Sequence, residues 1–288
     1  MNTHRKDLTV VLAPNPSPLT GPGTNSFLLG QRSVAVIDPG PDLPAHRQAI
    51  LDAAPGPISH IFVTHAHLDH SQGAAALAQA TGAPVLAFGP PMAGRSAGMA
   101  RLAAAGDIGG GEGLDAGFAP DRTLRDGEVV SGEDWHLQAI HTPGHFGGHL
   151  AFLWGDTLFC GDIVLGWSST LISPPDGDLA DYFRSLDRIA ALAPARLIPA
   201  HGDPVENVSV RLADLAAHRR QRSAQIMEAL RAGGPATAET LARRIYDVPP
   251  GLIGAATRNV LAHLIALHGL GAVETDGPPA LEAAFHLP

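Results

Sequence analysis

The sequence predicts a layered α/β fold, and three features predict it. Up to His201, short β-branched or leucine-rich runs alternate with helical, alanine-rich stretches, the pattern that stacks helices on sheets. The 288 residues are 45% hydrophobic and 16% charged, enough for a large core plus a small second unit. Thirty-three Gly and 25 Pro residues supply the many short connections such a fold needs.

In chain order, Leu8–Leu12 reads as a first strand and is followed by a proline-rich turn. Gly23-Thr24-Asn25 leads into a second strand, Phe27–Leu29, and Ser33–Ile37 forms a third that ends at Asp38-Pro39-Gly40. Ala45–Ala53 has helical periodicity. Ile58–Thr64 is a buried strand, Gln72–Thr81 a helix stopped by Gly82, and Pro84–Phe88 a further strand. Pattern then dissolves between Gly89 and Pro120, apart from a helix around Met99–Ala105. The Gly109-Gly110-Gly111 run there reads either as a surface loop or as an active-site rim. Leu124–Glu128 reads as a turn and Trp135–Ile140 as a strand. Leu150–Trp154 and Thr157–Cys160 are strands joined by a Gly155-Asp156 turn. Asp181–Leu192 is an amphipathic helix and Arg196–Pro199 a last strand.

The chemistry concentrates where the fourth run ends. His65, His67, Asp69 and His70 place four metal-ligating side chains within six residues, a density that packing does not require. In an extended backbone His65 and His67 share a face. Three later strand ends each offer one more candidate: His145 in Thr142-Pro143-Gly144-His145, Asp162 after Gly161, and His201 before Gly202. Each alone is ordinary turn chemistry; together with the first cluster they point to a metal centre. Asp38 fits two roles, a turn residue before Pro-Gly or a carboxylate that orients a ligand imidazole. Ser168, Ser169 and Thr170, just past Asp162, are candidates for substrate contact, as is Asn25. His141 and His149 read as structural, and Cys160 as a small core residue rather than a ligand.

Composition excludes some classes. A formal charge of −9 argues against a broad basic surface for polyanions. One cysteine excludes an intrachain disulfide framework. Met1–Asp7 is polar and the prolines that follow break up any signal-peptide core or membrane span, so a cytoplasmic protein is expected.

The set His65, His67, Asp69, His70, His145, Asp162 and His201 resembles the metallo-β-lactamase superfamily of hydrolases, over most of residues 8–206. More narrowly, Gly23-Thr24-Asn25, Thr142–His145 with His149, and Gly161–Gly166 look like the β-lactamase-like protein 2 group. The resemblance implies a four-layer αββα sandwich with a dinuclear site at one sheet edge. His65, His67 and His145 would hold one divalent ion, Asp69, His70 and His201 a second, and Asp162 would bridge them. Zinc is the expected metal, with manganese or iron as alternatives. A hydroxide between the ions would cleave an ester, thioester or phosphodiester, with Asp69 also handling its proton. The implied substrates are acyl thioesters or other small molecules, or single-stranded RNA. Glyoxalase-II-like hydrolysis, β-lactam hydrolysis, a mononuclear iron dioxygenase using His65, His145 and Asp162, and a non-enzymatic regulator are the alternatives.

From Asn207 the composition changes, giving expected units of 1–206 and 207–288. Val210–Arg231, Ala236–Tyr246 and Leu252–His268 read as helices, and Asp276-Gly277 as the turn of a small hairpin. Three helices and a hairpin resemble a winged-helix module. Eight Arg against seven Asp and Glu leave it at +1, where the preceding residues carry −10. The third helix offers chiefly Arg258, Asn259 and His263, so specific duplex DNA binding is not expected. A wall for the cleft or a homodimer contact is the better expectation.

Overall fold

The computed structural model describes residues 7–288; the polar segment 1–6, read above for want of a signal core, lies outside the described residues. The strands are β1 (Leu8–Leu12), β2 (Asn25–Leu29), β3 (Val34–Ile37), β4 (Ile58–Phe62), β5 (Val85–Ala87), β6 (Arg122–Thr123), β7 (Val129–Ser131), β8 (His136–His141), β9 (Leu150–Trp154), β10 (Thr157–Gly161) and β11 (Arg196–Pro199). They form two sheets, ordered β1-β2-β3-β4-β5-β6 and β11-β10-β9-β8-β7. The helices are α1 (Pro44–Ala53), α2 (Leu68–Ser71), α3 (Ala74–Thr81), α4 (Ala97–Ala105), α5 (Leu179–Leu192), α6 (Val208–Gly233), α7 (Ala238–Ile245) and α8 (Ile253–Gly269), the last entered through a 3-10 turn at Pro250–Leu252.

Side-chain alternation builds the layers. Phe27, Leu29, Ala35, Ile37 and Phe62 point between the sheets and meet Leu137, Ala139, Phe152 and Phe159 of the second sheet. Their neighbours Leu28, Val34, Val36 and Ile61 point outward onto Ile50 of α1 and Leu77 of α3. The outer face of the second sheet packs on Leu186 of α5 and on Leu212 and Leu215 of α6. Helix, sheet, sheet, helix is the αββα order expected.

Three expectations change. The helix expected over Gln72–Thr81 starts at Ala74 as α3, with Gln72 and Gly73 forming a turn that separates it from the short preceding helix α2. A Cβ at Gly73 would lie 3.0 Å from the carbonyl oxygens of Pro39 and Gly40. Strands β6 and β7 escaped the sequence: they are two and three residues long, mostly exposed, and have no apolar run to announce them. The expected C-terminal hairpin reduces to single bridges, Glu274 with His286 and Ala236 with Phe285.

A separate apolar cluster holds the C-terminal helices together: Ile226 and Leu230 of α6, Leu241 of α7, and Val260, Leu261 and Leu264 of α8, closed by Val273 and Phe285. Helix α6 therefore serves two cores, the sheet-side core with its first half and this cluster with its second. Ile108, from the glycine-rich stretch, is buried in the same cluster. Gly110 (φ +106°) shows why glycines fill that stretch: a Cβ there would lie 2.5 Å from Pro175 Cδ. No helix among the described residues is long and apolar enough to cross a membrane.

Candidate metal centre

Parallel pairing explains why the chemistry converges. Strands β3 and β4 run parallel, so both deliver their following residues to one edge, Asp38 from the first and Thr64–His70 from the second. Strands β10 and β11 are also parallel, and present Asp162 and His201 at the matching edge of the other sheet. Backbone bonds close the two edges together, Leu150 N–H to Thr64 O (2.8 Å) and Asn25 N–H to Ala200 O (2.7 Å).

Asp38 sits beneath the cluster, fully buried and in the left-handed region at φ +52°. Its carboxylate accepts from Thr64 N–H (2.8 Å), the Thr64 hydroxyl (2.8 Å) and His70 Nδ1 (2.9 Å). Both sequence readings of Asp38 therefore hold at once: it makes the turn and it orients an imidazole. With Nδ1 donating downward, His70 Nε2 faces the cavity, 3.5 Å from Asp69 Oδ2 and 3.6 Å from Asp162 Oδ2. Ser26, whose hydroxyl donates to Asp38 O (2.5 Å) and lies 2.9 Å from His46 Nε2, buttresses this turn. Nothing in the sequence singled out that pair, since a buried Ser and His separated by twenty positions carry no motif.

The other ligands are oriented in the same way. The Thr64 hydroxyl gives its proton to Asp38, so His65 Nδ1 donates to Thr64 Oγ1 (3.0 Å) and leaves Nε2 with a lone pair. His145 Nδ1 donates to Leu171 O (2.6 Å), which leaves its Nε2 free too. Those two nitrogens lie 2.9 and 3.1 Å from His67 Nδ1. A single proton on His67 cannot serve both at full strength, whereas one cation satisfies all three. His201 Nδ1 donates to Gly23 O (3.1 Å), and its Nε2 lies 3.3 Å from both Asp69 Oδ2 and Asp162 Oδ2. Asp162 Oδ1 and His70 Nε2 are buried without any hydrogen-bond partner, which a native site does not leave unanswered. By donor type and spacing, the sets His65/His67/His145, Asp69/His70/His201 and His65/His70/Asp162 could each hold an ion.

Electrostatics divides the cluster. Burial holds His65 well below the usual imidazole range, aided by His70, His67 and His145, and burial with the His145 charge takes His67 down to about 3. Burial lowers His145 as well. That trio offers lone pairs at neutral pH. In the other half, burial opposes the charged forms but is outweighed. The carboxylates Asp69, Asp162 and Asp38 hold His70 well above its ordinary value, and Asp162 and Asp69 lift His201 to about 10. Against burial, His70 and His201 lower Asp69 to about 2, and they hold Asp162 well below the carboxylate range. Positive charge already gathers where Asp69 and Asp162 face it.

His149 is structural, and its role is specific. Its Nε2 accepts from Asp162 N–H (3.2 Å) and its Nδ1 pairs with Thr142 Oγ1 (2.9 Å), which requires the neutral form that burial enforces. Gly161 (φ +48°) lets it come close: a Cβ there would lie 2.5 Å from His149 Nε2. His141 Nε2 donates to Gly147 O (2.8 Å). Cys160 is fully buried, burial pushes its thiol pKa up, and it is no thiolate ligand.

The substrate-side expectations divide. Ser168 and Ser169 line a cavity of about 230 Å³ that opens onto His67, Asp69, His145, Asp162 and His201. Thr170 lines it too, but is buried with its hydroxyl 3.2 Å from His145 Nδ1, so it supports a ligand rather than waiting for substrate. Asn25 is a correction. It was expected to face substrate, yet its amide donates to Gly202 O (3.1 Å) and Pro199 O (3.4 Å), tying β2 to the His201 turn. The Gly109-Gly110-Gly111 run is exposed and does not line the cavity, but Glu112 and Gly113 just after it do, and Leu68 N–H donates to Gly113 O (2.9 Å).

The comparisons with known proteins agree with this geometry. The family model described as metallo-beta-lactamase superfamily matches residues 19–201. The chain belongs to the metallo-β-lactamase superfamily. Members of that superfamily are generally metal-dependent hydrolases. A second model, the beta-lactamase associated winged helix domain, matches residues 237–278. The "Beta-lactamase-like protein 2 homolog" of Drosophila melanogaster is 29% identical over 272 residues, covering 91% of this chain and 87% of its own. Among solved structures, a metallo-beta-lactamase family protein of Thermus thermophilus aligns at TM-score 0.78 with 27% identity, over 98% of this chain and 99% of its own. TTHA1623, crystallised in a di-iron-bound form, aligns at TM-score 0.53 with 28% identity, over 71% of this chain and 98% of its own.

Proposed function

We propose that this superfamily member is a dinuclear hydrolase of acyl esters, with thioesters the favoured class. The observation that carries the choice is the charge around the donors. The cavity that opens onto them is lined by Asp69, Glu112 and Asp162 and by no Lys or Arg. A phosphodiester polymer draws its affinity from cations along its backbone, and this cleft offers none. The C-terminal arginines do not make up the lack. Arg211 and Arg219 donate to carbonyls of the 165–170 loop, and Arg258 to Ile108 O. Arg222 stacks on Tyr246 at 3.8 Å, and Arg231 and Arg243 pair with Glu228 and Glu239.

Two divalent cations held by His65, His67 and His145 and by Asp69, His70 and His201, with Asp162, would supply a water acidic enough to attack near neutral pH and a Lewis acid for the acyl oxygen. The chain's own groups do the rest. Asp38, Thr64, Leu171 O and Gly23 O fix which imidazole nitrogen faces inward. Asp69, 28% exposed in its side chain and the most open of the carboxylates facing His201, is placed to accept the proton that the attacking water loses. Water adds to the acyl carbon, the carbon–sulfur bond breaks, and the thiol leaves with a proton. Ser168 and Ser169 offer hydroxyls at the cavity wall to position the polar arm of the substrate. Zinc is the metal we favour for a His-rich, thiolate-free donor set, and the di-iron relative makes iron the alternative that elemental analysis separates.

The test is a substrate panel on metal-reconstituted protein. Thiol release from S-acyl pantetheines is expected, lost with chelator and in His67→Ala and Asp162→Ala. Cleavage of single-stranded RNA without thiol release, or thiol release indifferent to chelator, overturns the proposal.

A further inference from the structure

The metal cavity is flanked by two further cavities that share wall residues with it. On one side it shares Trp167 with an open groove of about 660 Å³ whose rim carries Asp203, Glu206, Arg211 and Asp214. On the other it shares Leu19, Glu112 and Leu171 with a pocket of about 460 Å³. The far wall of that pocket is Ile253 and Ala255 of α8 together with Leu281, all from the C-terminal unit. Its size is that of a small-molecule site, about 300–1,000 Å³.

We infer that this second pocket is the acyl subsite, and that the C-terminal helices are in the protein to build its far wall. The inference rests on the thioester reading above and deepens it. A thioester has two arms that differ in polarity, an apolar acyl chain and a polar thiol carrier. Both flanking cavities carry four charged residues, but the one toward the C-terminal unit offers five aliphatic side chains against two, Val205 and Val210, in the other. Leu19 and Leu171 stand with Glu112 at the junction next to the donors, and Ile253, Ala255 and Leu281 continue the aliphatic side of that wall. No phosphate or carboxylate is welcome at the far end, because Glu239 and Glu282 stand at its rim. The one cation there, Arg258, is held by Nη1 donating to Ile108 O (2.5 Å) and Nε to Ser173 Oγ (2.9 Å), with Nε also 3.5 Å from Glu112; its Nη2 is buried without a partner, and the three carboxylates Glu112, Glu239 and Glu282 outnumber it. A neutral chain therefore enters where a charged one is rejected, which leaves the polar carrier to the Trp167 side.

The test uses the metal-reconstituted full chain and S-acyl pantetheines from acetyl to decanoyl. Burial of each added methylene is expected to raise kcat/KM about fourfold until the pocket is full. A decanoyl-length chain ending in a carboxylate is expected to lose most of that gain. Ala255→Trp fills the pocket and Leu281→Ser makes its wall polar. Each is expected to lower the decanoyl-to-acetyl ratio at least tenfold. A ratio unchanged in both variants, or wild-type turnover that ignores chain length, overturns the subsite while leaving the hydrolase intact. A separate measurement does not depend on turnover: calorimetry with S-decyl pantetheine, a thioether that cannot be hydrolysed. Saturable binding that weakens in both variants supports the subsite even if no thioester is cleaved, and absence of binding to wild type overturns it.

Discussion

The metal edge and the C-terminal helices solve opposite problems. At the metal edge nearly every buried group is polar and is tied to another below it, as His70 is to Asp38 and His149 is to Asp162 N–H. Among the C-terminal helices the buried groups are mostly aliphatic, and the two buried arginines, Arg219 and Arg258, donate to backbone carbonyls. One region fixes the positions of a few atoms; the other supplies shape. They meet at the loop 165–172. Arg211 holds Leu165 O (2.8 Å) and Ser168 O (2.5 Å), Arg219 holds Thr170 O, and Asn259 accepts from Ile172 N–H (3.1 Å). His145 then leans on Leu171 O (2.6 Å) from the other side. Shape on one side thus governs an atomic position on the other.

The largest effects should come from the metal edge. Asp162→Ala removes the carboxylate that lies 3.3 Å from His201, 3.6 Å from His70 and 3.9 Å from His145. It is expected to empty at least half the site and to reduce turnover by more than the ~10- to 100-fold typical of residues that merely orient a ligand. Elemental analysis and kcat/KM measure both. Asp38→Asn comes next. Asparagine tolerates the left-handed backbone at φ +52°, but its amide offers His70 Nδ1 a donor where an acceptor stood. Metal affinity is expected to fall ~10- to 100-fold with the fold retained. An Asp38→Asn protein that binds metal like wild type would break the contrast, because the network beneath the site would then be ornamental.

How much of this the sequence discloses follows from the same contrast. The seven donors are legible because chemistry, not packing, selects them: four crowd into the six residues His65–His70, and His145, Asp162 and His201 each stand beside a Gly. The layers are legible from the short apolar runs of β2, β3 and β4, which lack alternation because both faces of that sheet are covered. Supports that act across long separations are not. Ser26 with His46, and Arg219 with Thr170 O, join residues whose local sequence is unremarkable for that job. Asn25 shows the reverse case: its neighbourhood resembles a substrate loop, while its amide nitrogen donates to the Pro199 and Gly202 carbonyls. The C-terminal charge, +1 by count, points away from a polyanion, but the count does not reveal which arginines are engaged within the chain, as Arg211, Arg219 and Arg258 are.

Arg219 tests the meeting point, with a smaller expected effect. It is 1% exposed, and the groups it meets are neutral: Thr170 O, Asn259 Oδ1 (3.2 Å) and the Tyr182 ring (5.4 Å). Arg219→Met keeps the apolar bulk and leaves Thr170 O without this donor. A stability loss of about 1–3 kcal/mol is expected from an unsatisfied buried carbonyl. Metal affinity should fall by less than in Asp38→Asn, since the effect reaches His145 only through the loop. Denaturant titration and metal competition report the two separately. A metal defect equal to that of Asp38→Asn would show that the C-terminal helices belong to the site itself.

The smallest effect at neutral pH belongs to His263, and it sharpens the contrast because it appears only in acid. His263 is fully buried on α8, its Nδ1 paired with Ser223 Oγ (2.8 Å) and its Nε2 without a partner. Burial, followed by the charges of Arg219, Arg222 and His218, lowers its pKa from 6.5 to about 3. The unfolded chain therefore takes up this proton first as pH falls. The stability His263 contributes is complete above pH 6.5 and drains away toward pH 3, at a limiting slope of about 1.4 kcal/mol per pH unit. His263→Gln keeps a donor and acceptor but cannot titrate in that window. The difference in unfolding free energy between wild type and His263→Gln, at matched metal content, should move by roughly 1–2 kcal/mol in favour of the variant between pH 7 and pH 5. Taking the difference cancels the depressed histidines of the metal edge, whose protons depend on the ions they hold. A difference that stays flat across that interval would mean that His263 meets water in the folded protein, and that the C-terminal core is less closed than its apolar lining implies.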